Sequence, residues 1–120
     1  MDVALQAHGR AATAIVLYLS IVGLWGLLLG IRGLGPSPNL IGALVISEIA
    51  SLAQGAVGLV LMLGGRPATA IHVLYGLALA AALPLAATLV RGRPPRAVSF
   101  AFGFMCLFAA GLAIRGITTA

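Results

Sequence analysis

The sequence predicts an all-α fold, an up-down bundle of four transmembrane helices forming a single integral membrane domain over residues 1–120. Three observations predict it. Hydrophobic residues make up 62% of the 120 residues and charged residues 8%, with a mean hydropathy of +1.17, which leaves too little polar surface to cover a water-soluble globule. Four apolar runs approach or exceed the roughly 20 residues needed to cross hydrocarbon. Glycine and proline gather in the short connections between them, where the chain must turn.

The first span covers about residues 4–31. It is longer than a signal-peptide core and lacks a cleavage site, so it is expected to remain as a helix. Gly26 and Gly30, four apart, permit close approach of a second helix, and Trp25 near the end suits an interfacial position. The run Gly33-Leu34-Gly35-Pro36-Ser37-Pro38-Asn39 closes this span. The second span, about 40–63, repeats Ser47, Ser51, Gln54, Gly55 and Gly58 at three- and four-residue steps, which collects polar and small groups into one stripe facing the bundle. Gly64-Gly65-Arg66-Pro67 is the turn, and Pro67 is expected in the first turn of the third span, about 67–90. Pro84 within that span removes one backbone hydrogen bond and predicts a kink. Arg91-Gly92-Arg93-Pro94-Pro95-Arg96 leads to the fourth span, about 97–117.

The charge is arginine alone. Seven arginines and no lysine, set against two acidic residues, give a formal +5; the arginines are spread singly or in short clusters at the ends of apolar runs, as membrane anchors are, and there is no basic patch for nucleic acid. Arg32, Arg91, Arg93 and Arg96 share one face, so the positive-inside rule predicts that face in the cytoplasm and both termini outside, in a prokaryotic plasma membrane. The bilayer is the first partner, with other membrane subunits or a second copy as further candidates. Cys106 is the sole cysteine, which excludes an intrachain disulfide.

Polar groups inside hydrocarbon need a partner or a task, and three stand out: Glu48, Gln54 and His72. His8 opens the first span and His72 lies one turn into the third, from the same side. First and third helices run parallel and lie diagonally in such a bundle. Two imidazoles at one depth could then grip a heme iron from its two faces. Gly76 and Ala80 continue the His72 face with minimal side chains, Tyr75 follows His72 on the same turn, and Arg115, with Arg10 or Arg66, could pair with propionates. The register is uneven. His8 precedes Arg32 by 24 residues and His72 precedes Arg91 by 19, a difference of about 7 Å along the helix.

Gln54-Gly55-x-x-Gly58, followed by Leu61-x-x-Gly64-x-x-Pro67-x-x-x-x-His72-x-x-x-Gly76, resembles the helix hairpin of one half of heme A synthase. His8-Gly9-Arg10-x-Ala12 is similar to the His-Arg opening of the helix before that hairpin. The resemblance covers residues 8–90, three of four helices, and implies heme ligation by His72 and His8 near the outer surface. This chain has one such half, no paired-cysteine loop and no counterpart of the catalytic carboxylate, so oxidation of a heme methyl group is not implied.

Three functions follow as expectations. The first is a small b-type heme protein for electron transfer, or a heme-bearing subunit of a membrane complex. The second is a heme-free structural or accessory subunit whose polar residues join helices. The third is a proton-linked transporter or quinone-binding protein using Glu48, for which a neutral carboxyl hydrogen-bonded beside Ser51 is the bland alternative. Met62 and Met105 read as packing residues.

Overall fold

The connections determine how the apolar runs become helices. In the computed structural model, which describes residues 2–120, Asp2–Ile31 forms α1, Pro38–Leu63 α2, Ala70–Leu89 α3 and Pro95–Thr118 α4. Gly33, at φ +75°, ends α1; the amide of Leu34 reaches back to Leu29 O and that of Gly33 to Gly30 O, satisfying carbonyls that the helix end leaves open. Gly65, at φ +90°, repeats this arrangement after α2. α2 starts with Pro38 in its first turn and the Ser37 hydroxyl accepting from Leu40 N at 3.1 Å. α4 starts with Pro95 in the same role.

The third helix departs from expectation at its start. Pro67 lies in the turn and not in the helix; α3 begins three residues later, because the Thr69 hydroxyl caps it by accepting from His72 N at 3.0 Å. Such a cap satisfies one of the orphan amides of a helix N-terminus and stabilises it by about 1 kcal/mol. Pro84 sits inside α3 on its exposed side, and the helix runs on through it.

All four helices are long and apolar enough to cross a membrane, and the molecule is 49 Å along its longest axis. Exposed leucines and isoleucines such as Leu17, Ile21, Leu24, Leu74 and Leu77 form the lipid-facing surface. This is an integral membrane four-helix bundle. Around the bundle, α1 packs against α4 and α2, and α3 against α4 and α2, which leaves α1 and α3 on a diagonal. The core between them contains Leu19, Leu40, Leu83, Cys106 and Ala109, and Trp25 packs against it.

The seam between α1 and α4 is the closest. A Cβ on Gly103 would lie 2.7 Å from Leu27 N and 2.9 Å from Gly23 O; one on Gly26 would lie 3.0 Å from Gly103 Cα. Lipid tails are as apolar as side chains, so helix association in a membrane draws on close packing and polar bonds rather than on expulsion of water. At one end of this seam Arg96 Nε donates to Gly30 O at 2.9 Å and Ser99 Oγ to Leu34 O at 2.7 Å. The arginine-rich loops after α1 and α3 share this end of the bundle. Both termini and the α2–α3 turn share the other.

Candidate functional site: a histidine pair at the terminal end

His8, in the second turn of α1, and His72, in the first turn of α3, meet across the diagonal of the bundle. Their ring centres are 6.1 Å apart with planes at 65°. The backbones of α1 and α3 do not touch, so these two side chains themselves span the diagonal. The uneven register is absorbed in the packing.

Each histidine is held by a neighbouring helix. His72 Nδ1 lies 2.7 Å from Gly116 O on α4; a carbonyl only accepts, so Nδ1 is the donor, and in the neutral ring that leaves the lone pair on Nε2. Thr69 supports the same corner from both sides, accepting from His72 N and donating to Thr119 O at 2.9 Å. On the other helix, Gln54 Nε2 of α2 donates to His8 O at 2.7 Å. Gly58, one turn on, lets the His8 ring approach α2, with Cε1 3.2 Å from where a Cβ would stand. His8 Nδ1 is enclosed and has no hydrogen-bond partner. Buried polar atoms are ordinarily paired, so an unpaired imidazole nitrogen at this point calls for a reason.

The other expected site residues fall out as follows. Tyr75 and Arg115 come together beside His72, the guanidinium lying 5.7 Å from the centre of the ring. Gly76 and Gly55 are exposed, and nothing lies within 4 Å of a Cβ built on either. Gly55 is thus not part of the stripe that faces the bundle, whereas Ser47 and Ser51 are buried in it. Arg10 is exposed on α1.

Glu48 is on the arginine-rich half of α2, away from the histidines. Its Oε2 is enclosed without a partner. Ser51 does not supply one: its single hydroxyl proton goes to the carbonyl of Ser47 at 2.9 Å, and Glu48 Oε2 has no partner. Cys106 faces the core of the bundle, but lies ten positions before Gly116 on α4, about 15 Å below the histidine level. Among the described residues no three His, Cys, Asp or Glu side chains converge on one point.

The contributions of Gly116, Thr69 and Thr119 were not anticipated from the sequence. Thr69 carried a signal, a capping residue three before His72. A backbone carbonyl carries none.

The fold and this site define a class: an integral membrane four-helix bundle with a diagonal histidine pair near one end. No protein family, no curated protein and no solved structure matches the chain.

Proposed function

We propose that the protein is a small membrane b-type heme protein in which His72 and His8 would hold the heme iron, acting in one-electron transfer or as the heme-bearing subunit of a larger assembly. The observation that carries this is the pair of imidazoles that meet across the bundle diagonal. Two imidazoles bound on opposite sides of one metal ion have ring centres about 6 Å apart, two metal–nitrogen bonds of about 2.0 Å plus the two ring radii, and here the separation is 6.1 Å. Rotation of either ring about its bond to the metal leaves that distance unchanged, so planes at 65° are compatible with it.

The donor set fits heme better than a bare ion. A structural zinc site takes four protein ligands and a catalytic one three; two imidazoles with no third donor nearby match a metal whose other four positions are filled by a macrocycle. His72 has the support a ligating histidine has elsewhere, its second nitrogen donating to a backbone carbonyl. His8 supplies an unclaimed buried nitrogen. Arg115, beside Tyr75 at the same end, is placed to pair with a carboxylate. Heme, when bound, supplies a reversible one-electron couple; the chain orients the His72 ring through Gly116 O and holds the His8 backbone through Gln54. By the positive-inside rule the arginine-rich loops lie in the cytoplasm of a prokaryotic cell, and the site opens toward the outside.

The test is spectroscopic. Protein purified in detergent from cells supplied with heme is expected to contain one heme per chain by pyridine hemochrome assay, with a sharp low-spin spectrum. His72→Ala and His8→Ala each convert that spectrum to high-spin or lose the heme. Colourless wild-type protein that also takes up no added hemin would end this reading.

A second reading draws on Glu48. An enclosed carboxyl oxygen without a partner, in a helix that crosses hydrocarbon, is the kind of group that carries protons in small transporters. Glu48→Gln would abolish proton-coupled uptake into proteoliposomes if that reading holds and leave it unchanged if it does not.

A further inference from the structure

α1 and α2 part on the lipid side. The gap is a groove of about 370 Å³, lined at the terminal end by Ala7, His8, Ala11, Gln54 and Val57. It continues past Ala14, Ile15 and Ala50 into a hollow of about 250 Å³ that ends at Tyr18 and Ser47. Tyr18 closes that end by donating to Ala43 O of α2 at 3.1 Å. From Ala7 to Tyr18 the groove follows the helix for about 16 Å.

Its chemistry is polarised along its length. The walls are alanine and other apolar side chains; the hydrogen-bonding side chains at the terminal end are His8 and Gln54. Gln54 spends one N–H on His8 O, which leaves its other N–H and its carbonyl oxygen. Among the described residues the lining holds no arginine, aspartate or glutamate, so none of these supplies a charge to balance a phosphate or an ammonium group. A complementary occupant is neutral, has a compact head that both accepts and donates hydrogen bonds, and has a long apolar tail.

We propose that the α1–α2 groove is a binding site for an isoprenoid quinone. The head lies against His8 and Gln54 with a ring carbonyl accepting an N–H, and the tail follows Ala11, Ala14 and Ala50 toward Tyr18. This rests on the histidine-pair reading for one point, the state of His8. An imidazole bound to iron through one nitrogen keeps a single N–H on the other, and ligating histidines normally give that N–H an acceptor. Gly116 serves His72 in this way; among the described residues no carbonyl serves His8, and a quinone oxygen would. A phospholipid fits less well, because the described lining residues hold no counter-charge for its head.

The test uses the full chain in phosphatidylcholine nanodiscs free of quinone, titrated with a ubiquinone of two isoprene units. Binding is measured by equilibrium filtration beside the heme spectrum. Saturable one-to-one binding is expected, with a shift of the visible spectrum on occupancy. The double variant Ala14→Leu, Ala50→Leu fills the groove from both walls and is expected to weaken binding at least tenfold while heme content and unfolding midpoint stay the same. Uptake that rises linearly with quinone, or equal binding by the double variant, would overturn the site and point to ordinary lipid in the groove. Saturable, variant-sensitive binding by a protein without heme would keep the groove site and remove the heme reading; a heme-loaded protein that fails to bind would do the reverse.

Discussion

The two seams of α1 use small residues to opposite ends. Against α4, Gly23, Gly26 and Gly30 meet Gly103, Ser99 and Phe100 so closely that a methyl group on Gly103 would stand 2.7 Å from a backbone nitrogen. Against α2, Ala7, Ala11 and Ala14 face Ala50 and Ala53 across a groove. Small residues permit close contact without compelling it: the glycine seam closes even onto the Leu107 and Phe100 side chains, while the alanine seam stays open although both of its walls are small. The closed seam gives the bundle its rigidity, and the open one, together with the α3 corner, surrounds the histidines. Stability and chemistry are therefore separable in this molecule by substitution.

The largest expected effect is at the closed seam. Gly103→Ala sets a methyl group against Leu27 N and Gly23 O, which are backbone atoms and cannot rotate away. The helices must separate, and overpacking of this kind costs about 1–3 kcal/mol. Reversible unfolding in mixed micelles measures it; an unchanged midpoint would mean that the seam is looser than these distances. His72→Ala is expected to do the opposite of Gly103→Ala, removing the heme signature while the unfolding midpoint of the heme-free protein moves little, because Gly116 O at the end of α4 is left near water.

How much of this was legible in the sequence follows the same division. The four spans could be read because hydrocarbon thickness dictates apolar length, and the diagonal of first and third helices follows from short connections. Gly26 and Gly30 announced a close contact, and Ser99-x-x-x-Gly103 on α4 is its counterpart, a small-residue pair that went unremarked among the phenylalanines. The start of α3 was misplaced because Pro67 is equally at home in a turn and in a first helical turn, and the deciding bond, Thr69 to His72 N, is visible only in coordinates. That His8 and His72 share a level was expected from topology, yet their separation depends on offsets between helices that no residue type encodes. The groove is invisible in sequence, since alanines that pack and alanines that leave room are the same letters.

Intermediate effects belong to the α3 corner. Thr69→Val removes the cap on α3 and the bond to Thr119 O together. A lost cap costs about 1 kcal/mol. The readout that separates positioning from bulk stability is the heme spectrum, expected to broaden as His72 loses its fixed orientation. Serine at this position retains the hydroxyl and should restore it. A spectrum indifferent to valine would mean that Gly116 O alone orients the ring.

The smallest effect sharpens the comparison most, because it repeats the chemical change made at Gly103 with the opposite sign. Gly42 lies on the exposed side of α2 with nothing within 4 Å of a Cβ, and its φ is not positive. Gly42→Ala therefore adds a methyl group in open space and removes only the backbone freedom that glycine has in the unfolded chain. Helix propensity favours alanine over glycine by up to about 1 kcal/mol, a value reduced in a membrane where the unfolded reference keeps its helices. A gain of a few tenths of a kcal/mol is expected from the same micelle titration. If Gly42→Ala destabilised the protein instead, the exposed face of α2 would have to be in contact with another helix, and the open side of the bundle would be a packed interface after all.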